Sequence, residues 1–254
     1  MLKIEVPKKN YNMKKLFITL GITALLYVSA TAQQSCGTVT DYDGNTYCTV
    51  QIGRQCWMAE NLRTKSYADG TSIPKGSSES ETTAYWCYPD GNSGNVSQYG
   101  LLYNWKAVMR NASSSSSNPS GVQGICPKGW HVPSDAEWTQ LENYVGSQPK
   151  YRCNDDMEKI AKALASTSGW KSGTDDPCTV GNGQSSNNAT GFNAVPAGNY
   201  NGSYYVFGYN AYFWSATQYD SYYAYGRYLL YLNANVDRGY GSENYGYSVR
   251  CLRD

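Results

Sequence analysis

The chain has one histidine, His131, no C-x-x-C pair, no block of basic residues and, beyond residue 30, no apolar run long enough to cross a membrane. Each absence removes a class of function. A lone histidine without a Cys/His cluster argues against a zinc site and leaves no Cys/His nucleophile. Without a basic stripe, the phosphate grip on which nucleic-acid binding depends is missing. Without a further stretch of about 20 apolar residues, no integral membrane helix is expected. No metal, no cofactor and no nucleic-acid partner is therefore expected.

What is present begins with a processing signal. Lys14 and Lys15 precede an apolar run from Leu16 to Ala30 that closes in Ala30-Thr31-Ala32, the pattern of a secretory signal peptide cleaved after Ala32. The signal is also complete if the chain starts at Met13. Gln33-Gln34-Ser35 before Cys36 is not the small, apolar context of lipid attachment. Residues 33–254 are then expected as one domain large enough to bury a core. Removal of the signal takes away Lys3, Lys8, Lys9, Lys14, Lys15 and Glu5 and leaves a net charge near −3. All 8 cysteines remain, and an even number in an exported chain argues for a disulfide framework, although eight cysteines allow about 105 pairings.

Local patterns sketch the elements. Asp43-Gly44 stands between two alternating runs and predicts a hairpin. Asp41, Asp43 and Asn45 echo a calcium loop, but its closing glutamate is missing, so a plain turn is expected. "YGLLYNWKAVM" has helical spacing through Leu102, Trp105 or Lys106, and Met109, which predicts a helix over residues 99–109. Ser134 with Glu137 makes a capping box, and Trp138, Leu141 and Val145 follow on one helical face. His131 just before it has no nucleophile or orienting group beside it and reads as a structural residue under the helix entry. A second helix is predicted over 155–165, with Met157, Ile160, Ala161 and Leu164 facing the core, Gly169 beyond its end and Trp170 closing the core. From Gly191 onward, "FNAVPAG", "AYFWSAT", "YGRYLLYLN" and "GYSVRCL" read as short strands. Helices followed by strands predict an α+β domain with an antiparallel sheet.

"DYDGNTYCTVQIGRQCWMAENLRTKSYADGTSIP", "YGLLYNWKAVM", "CPKGWHVPSDAEW", "ATGFNAVPAGNYNG", "YFWSAT" and "GYSVRCLRD" together resemble the Fibrobacter succinogenes major paralogous domain, a family of exported bacterial proteins common in Bacteroidetes. The resemblance runs over residues 36–254. The W-x-x-P-x-x-x-E-W block and the terminal G-x-x-V-R-C-x-x-D also resemble the formylglycine-generating branch of the C-type lectin fold. That likeness implies two helices flanking a small twisted sheet whose strands and loops form a binding face. It implies the pairs Cys36–Cys56, Cys126–Cys251 and Cys153–Cys178, which leaves Cys48 and Cys87 as the remaining pair.

The chain ends in a segment crowded with tyrosine: 14 of the 25 lie from Tyr200 to Tyr247. Some members of this family and fold resemble targets of diversity-generating retroelements, whose adenine-directed mutagenesis turns Asn codons into Tyr, Asp and Ser. On that likeness Tyr219, Asp220, Tyr222, Tyr223, Tyr225, Tyr228, Tyr231, Asp237, Tyr240, Ser242, Asn244 and Tyr245 are the ligand-binding residues. Phe213, Trp214, Ser215, Ala216, Leu229, Val236 and Val249 are the fixed frame. Tyrosine offers large contact area at low rotamer entropy, and Ser, Gly and Asn adapt their hydrogen bonds, as in antibody paratopes. Tyr also favours strands, so packing of a sheet with one wet face is the plainer reading. Tyr204-Tyr205 and Tyr222-Tyr223 put rings on both sides of a strand, which favours a binding face. The expectation is an exported or surface-attached binding protein whose ligand is a surface protein or glycan, with a carbohydrate-binding or structural envelope module as the alternative. An oxidase of the formylglycine-generating kind would need a reactive cysteine pair near the chain end, where Cys251 stands alone. No enzyme activity is expected.

Overall fold

The computed structural model describes residues 34–76, 83–173 and 175–254; the expected signal segment, residues 1–32, lies outside the described residues. The Asp43-Gly44 turn folds β1 (Thr38–Thr40) onto β2 (Thr46–Ile52), with Val39 opposite Tyr47. The acidic side chains of that turn are spent on protein groups. Asp41 accepts from the Asn45 backbone and the Tyr47 hydroxyl, and Asp43 accepts from Thr64 and the Lys65 backbone. β2 returns as β3 (Gln55–Met58), and the end of the chain, β12 (Leu252–Arg253), inserts between β3 and β6 (Trp130–His131). The sheet order is β1-β2-β3-β12-β6.

Beside this sheet runs α3 (Asp135–Ser147), and its capping box forms as read, with Ser134 and Glu137 bonding each other's backbone N–H. Trp138, Leu141 and Val145 are buried, and the Trp138 ring lies 4.7 Å from Trp57 and 5.6 Å from Phe213. Phe213 belongs to the second sheet, whose antiparallel order is β11 (Asp237–Ser242), β10 (Tyr223–Leu230), β9 (Asn210–Gln218). Burial of each such apolar side chain is worth about 1.5–3 kcal/mol, so α3 is the joint between the two sheets. His131 is buried beneath its entry and bonds Glu137 at 2.9 Å and Asp254 at 2.7 Å. Burial opposes its charge, yet those two carboxylates outweigh burial and raise its pKa. Its place is structural: it ties the C-terminal residue to the helix cap. Arg250 of the terminal motif is likewise enclosed, donating to Asn61 and to the Met58 and Asn193 carbonyls, and burial pulls its pKa down to about 9.

The α+β class stands, but two of the helices are shorter than the periodicity predicts. Residues 99–109 are split: α1 (Val96–Tyr99) stops at Gly100, Leu102–Tyr103 becomes β5 against β4 (Trp86–Cys87), and α2 (Trp105–Met109) restarts under an Asn104 cap. Gly100 has φ +74°, and a Cβ there would lie 2.6 Å from the Asn61 side chain. Helical continuity is lost to close backbone contact. The predicted helix over 155–165 shrinks to α4 (Ala161–Leu164), because Asn154 and Asp155 are left-handed at φ +53° and +56°. Ile160, Ala161 and Leu164 are buried as expected, while Met157 is 55% exposed rather than core. Gly169 takes φ +93° and Trp170 is buried. "FNAVPAG" is no strand; β7 (Asn199–Tyr200) follows it and pairs with β8 (Tyr204–Tyr205). In "GYSVRCL" only the end joins a named strand, and residues 246–248 make single bridges to Tyr200, Tyr103 and Phe213.

The bridges Cys36–Cys56, Cys126–Cys251 and Cys153–Cys178 form. The fourth pair does not. Cys48 is an exposed free thiol on β2, whereas Cys87 on β4 is buried with Tyr85, Leu102 and Tyr200, and burial pushes its pKa up to about 12. Among the described residues, no helix is long and apolar enough to cross a membrane.

Candidate functional site

The tyrosine-rich segment builds the β9–β10 turn, β10, β11 and the turn beyond it. In antiparallel pairing, directly opposite residues share a face. Tyr225 stands opposite Tyr240 and Tyr223 opposite Ser242, so these four share one side. Tyr219 reaches the same side from the turn and stacks on Tyr240, with centroids 4.2 Å apart and planes 4° from parallel. Tyr225 meets Tyr219 edge-on at 5.4 Å, and Tyr223 meets Tyr240 edge-on at 5.6 Å. The Asp220 carboxylate accepts from the N–H groups of Tyr222 and Tyr223, at 2.8 Å and 3.0 Å, and so shapes the turn. Tyr219, Tyr222 and Tyr240 are 49%, 72% and 52% exposed. Tyr219, Tyr223, Tyr225 and Tyr240 form an open aromatic cluster, with Tyr222 exposed in the turn beside it.

The cluster is anchored to α3 by two arginines that the sequence reading did not single out. Arg227 is fully buried and donates to Asp135 at 2.7 Å, to Thr139 at 3.0 Å and to Glu142. Arg238, directly opposite it on β11, grips the same Asp135 carboxylate at 2.9 Å and 3.0 Å and lies 3.8 Å over the Tyr225 ring. Burial would raise the Asp135 pKa, but the hydrogen bonds from Arg238 and Arg227 outweigh it and hold the carboxyl below its usual range. For Glu142 burial prevails and the pKa is raised. The first turn of α3 thereby positions the ring of Tyr225. The only sequence signal would have been that a buried arginine demands acidic partners, and that becomes readable once the β10–β11 register is known.

The other side of the same strands is different. Tyr228, expected outward, is half-buried against Tyr212 at 4.8 Å and Tyr247 at 5.9 Å, and Trp214 stacks on Tyr247 at 4.3 Å. Glycines make the room: a Cβ on Gly239 would stand 2.2 Å from the Tyr228 ring, and one on Gly241 2.4 Å from the Tyr247 hydroxyl. Burial pushes the Tyr228 pKa up to about 12 and raises that of Tyr247 further. Tyr245 leans into this inner cluster, Tyr231 packs edge-on to Tyr209 at 5.1 Å, and Asp237 accepts from Asn233 at 2.9 Å. Leu229 and Val249 are buried as expected of the frame, while Val236 is half-buried.

Of the twelve candidates, the structure gathers Tyr219, Tyr223, Tyr225, Tyr240 and Ser242 on one open face, leaves Tyr222 exposed in the adjoining turn and turns Tyr228, Tyr231 and Tyr245 into packing. A groove of about 440 Å³ opens beside that face between Lys106, Tyr222, Tyr223, Ser242 and Asn244. A second, of about 720 Å³, lies at the other end of β11 between Met157, Glu158, Val236, Asp237 and Arg238. Chemically, the arrangement presents flat aromatic area flanked by amides, hydroxyls and carboxylates. Among the described residues no group of three or more His, Cys, Asp or Glu side chains is placed to hold a metal ion.

Residues 50–253 match the profile of the Fibrobacter succinogenes major domain, and the chain belongs to that family. No curated protein and no solved structure matches it.

Proposed function

Starting from membership of this family, we propose that the protein is an exported, non-catalytic binding protein with a C-type lectin-like frame, and that its open tyrosine cluster contacts a ligand on a cell or protein surface. The observation that carries the proposal is the Tyr219–Tyr240 stack, two parallel rings about half exposed and held by Tyr223, Tyr225 and Arg238. Exposed aromatic area grouped in one patch costs solvation unless a partner covers it, and aromatic anchors commonly carry most of an interface's energy. The inner cluster supports the same reading, because it lets the outer residues vary without touching the core. Tyr, Asp, Ser and Asn at positions 219, 220, 222, 223, 225, 240, 242 and 244 are the residues that adenine-directed mutagenesis of Asn codons yields, which makes retroelement diversification part of the proposal. Cys251 is bonded to Cys126 and so supplies no free thiol for an oxidase of the formylglycine-generating kind.

The test is a triple variant, Tyr219→Ser, Tyr222→Ser and Tyr240→Ser, compared with the unchanged protein on a panel of purified surface proteins and on a glycan array. The expected result is a ligand held by the unchanged protein and lost by the variant, with only a small shift in melting temperature. Retained recognition would place the site elsewhere. Ligands found on the glycan array alone would favour the carbohydrate-binding alternative.

A further inference from the structure

β11 is the outer strand of its sheet. Its register with β10, continued by the Glu243 N–H donating to the Tyr222 carbonyl, turns the backbone groups of residues 237, 239, 241 and 243 inward. By strand alternation, the N–H and C=O groups of Arg238 and Tyr240 and the N–H of Ser242 point away from the sheet. Among the described residues none of these five groups is hydrogen-bonded. Natural proteins blunt such edges with lysine, proline, bulges or a covering element. β11, DRGYGS, has neither lysine nor proline, and its register with β10 is unbroken. Its one cation, Arg238, is folded onto Asp135 and Tyr225 instead of guarding the edge.

We propose that an extended peptide segment of a partner protein docks on β11 as a fourth strand of this sheet. The inference deepens the reading above and rests on it, since Tyr240 belongs both to the open ring cluster and to the strand edge. An edge offers donors and acceptors at every second residue, about 7 Å apart, and another polypeptide backbone is the chemistry that matches that repeat; a sugar is not. The six residues of β11 make a track of about 20 Å, and the two grooves described above lie at its ends. Alternate side chains of the bound strand fall against the Tyr219–Tyr240 stack. The end over the larger groove meets Met157 and Val236 with the Glu158 and Asp237 carboxylates, which calls for an apolar residue followed by Lys or Arg.

Linear peptides of about a dozen residues displayed on phage are selected against the disulfide-intact protein, and one enriched peptide is synthesised and titrated against unchanged protein, Tyr240→Ala and Tyr240→Pro. Both variants remove the ring; only proline also removes the outward N–H, at an edge position where proline is tolerated. Strand addition predicts about a tenfold loss for Tyr240→Ala, a further tenfold loss for Tyr240→Pro, and slowed hydrogen exchange of the Arg238, Tyr240 and Ser242 amides in the unchanged protein when peptide is bound. Equal losses in the two variants with no slowing of exchange overturn strand addition and leave the ring face standing. Full affinity in Tyr240→Ala overturns the ring-face reading, full affinity in Tyr240→Pro overturns strand addition, and a selection that enriches no peptide overturns strand addition. If Tyr240→Pro fails to fold, the exchange measurement on the unchanged protein decides.

Discussion

Two tyrosine clusters stand on opposite faces of one three-stranded sheet, a few ångströms apart through the backbone, with opposite physical roles. The inner one, Tyr212, Tyr228 and Tyr247 with Trp214, is roofed by the rest of the domain and filled to contact. The outer one, Tyr219, Tyr223, Tyr225 and Tyr240, is open and is steadied from below by Arg238 and Asp135. Residue type does not separate them. The separation comes from glycine: Gly239 and Gly241 alternate with Tyr240 along β11, so beyond Asp237 the strand carries no side chain on its inner face, where the rings of Tyr228 and Tyr247 lie, and a full ring on its outer face.

The largest test of this contrast is Trp214→Ala. Its ring stacks on Tyr247, and its Nε1 donates to the Tyr103 carbonyl at 2.8 Å. Truncating a buried Trp commonly costs about 3–5 kcal/mol, to be read from denaturant midpoints. A loss below about 1 kcal/mol would mean that the inner cluster is not a frame. Next comes Gly239→Ala, which overpacks against the Tyr228 ring and is expected to cost about 1–3 kcal/mol, although alanine ordinarily suits a strand better than glycine. A stabilised Gly239→Ala would show that the inner face has slack.

Alkaline pH addresses the same contrast through ionisation. The folded-state pKa of Tyr228 lies above its ordinary value of 10.0, at about 12, so its contribution to stability is intact below pH 10 and is lost as pH rises through about 12. Thermal melts from pH 9 upward should fall over that window, and Tyr228→Phe should flatten the fall. An unchanged slope in that variant would count against burial of the hydroxyl. The smallest expected effect is Tyr240→Ala, one residue from Gly239, at about 1 kcal/mol or less, in line with exposed positions and one lost ring stack. A loss as large as that of Gly239→Ala would erase the distinction between the faces.

How much of this was readable beforehand depended on range along the chain. The Asp43-Gly44 hairpin and the Ser134–Glu137 capping box are local chemistry, complete within a few residues, and both formed as read. The predicted helices over 99–109 and 155–165 failed where distant parts of the chain intervened: the Asn61 and Leu62 backbone against Gly100, and the left-handed Asn154-Asp155 turn beside the Cys153–Cys178 bridge. The same limit explains Cys48 and Cys87. What remains after three assigned bridges need not be neighbours, and one thiol is exposed while the other is buried.

By itself, the sequence determined the α+β character, the position and buried face of α3, and the enrichment of tyrosine in the last strands, since all of these follow from composition and local periodicity. Only the tertiary structure decided which tyrosines face outward. In a strand the side-chain period is two, so the assignment depends on pairing register. Here that register is set by the β10–β11 alignment and by the irregularity between Ala224 and Gly226, where β9 takes up extra residues. A single step in that pairing would exchange Tyr225 for Ala224 on the open face, and nothing within the segment's own residues specifies the step.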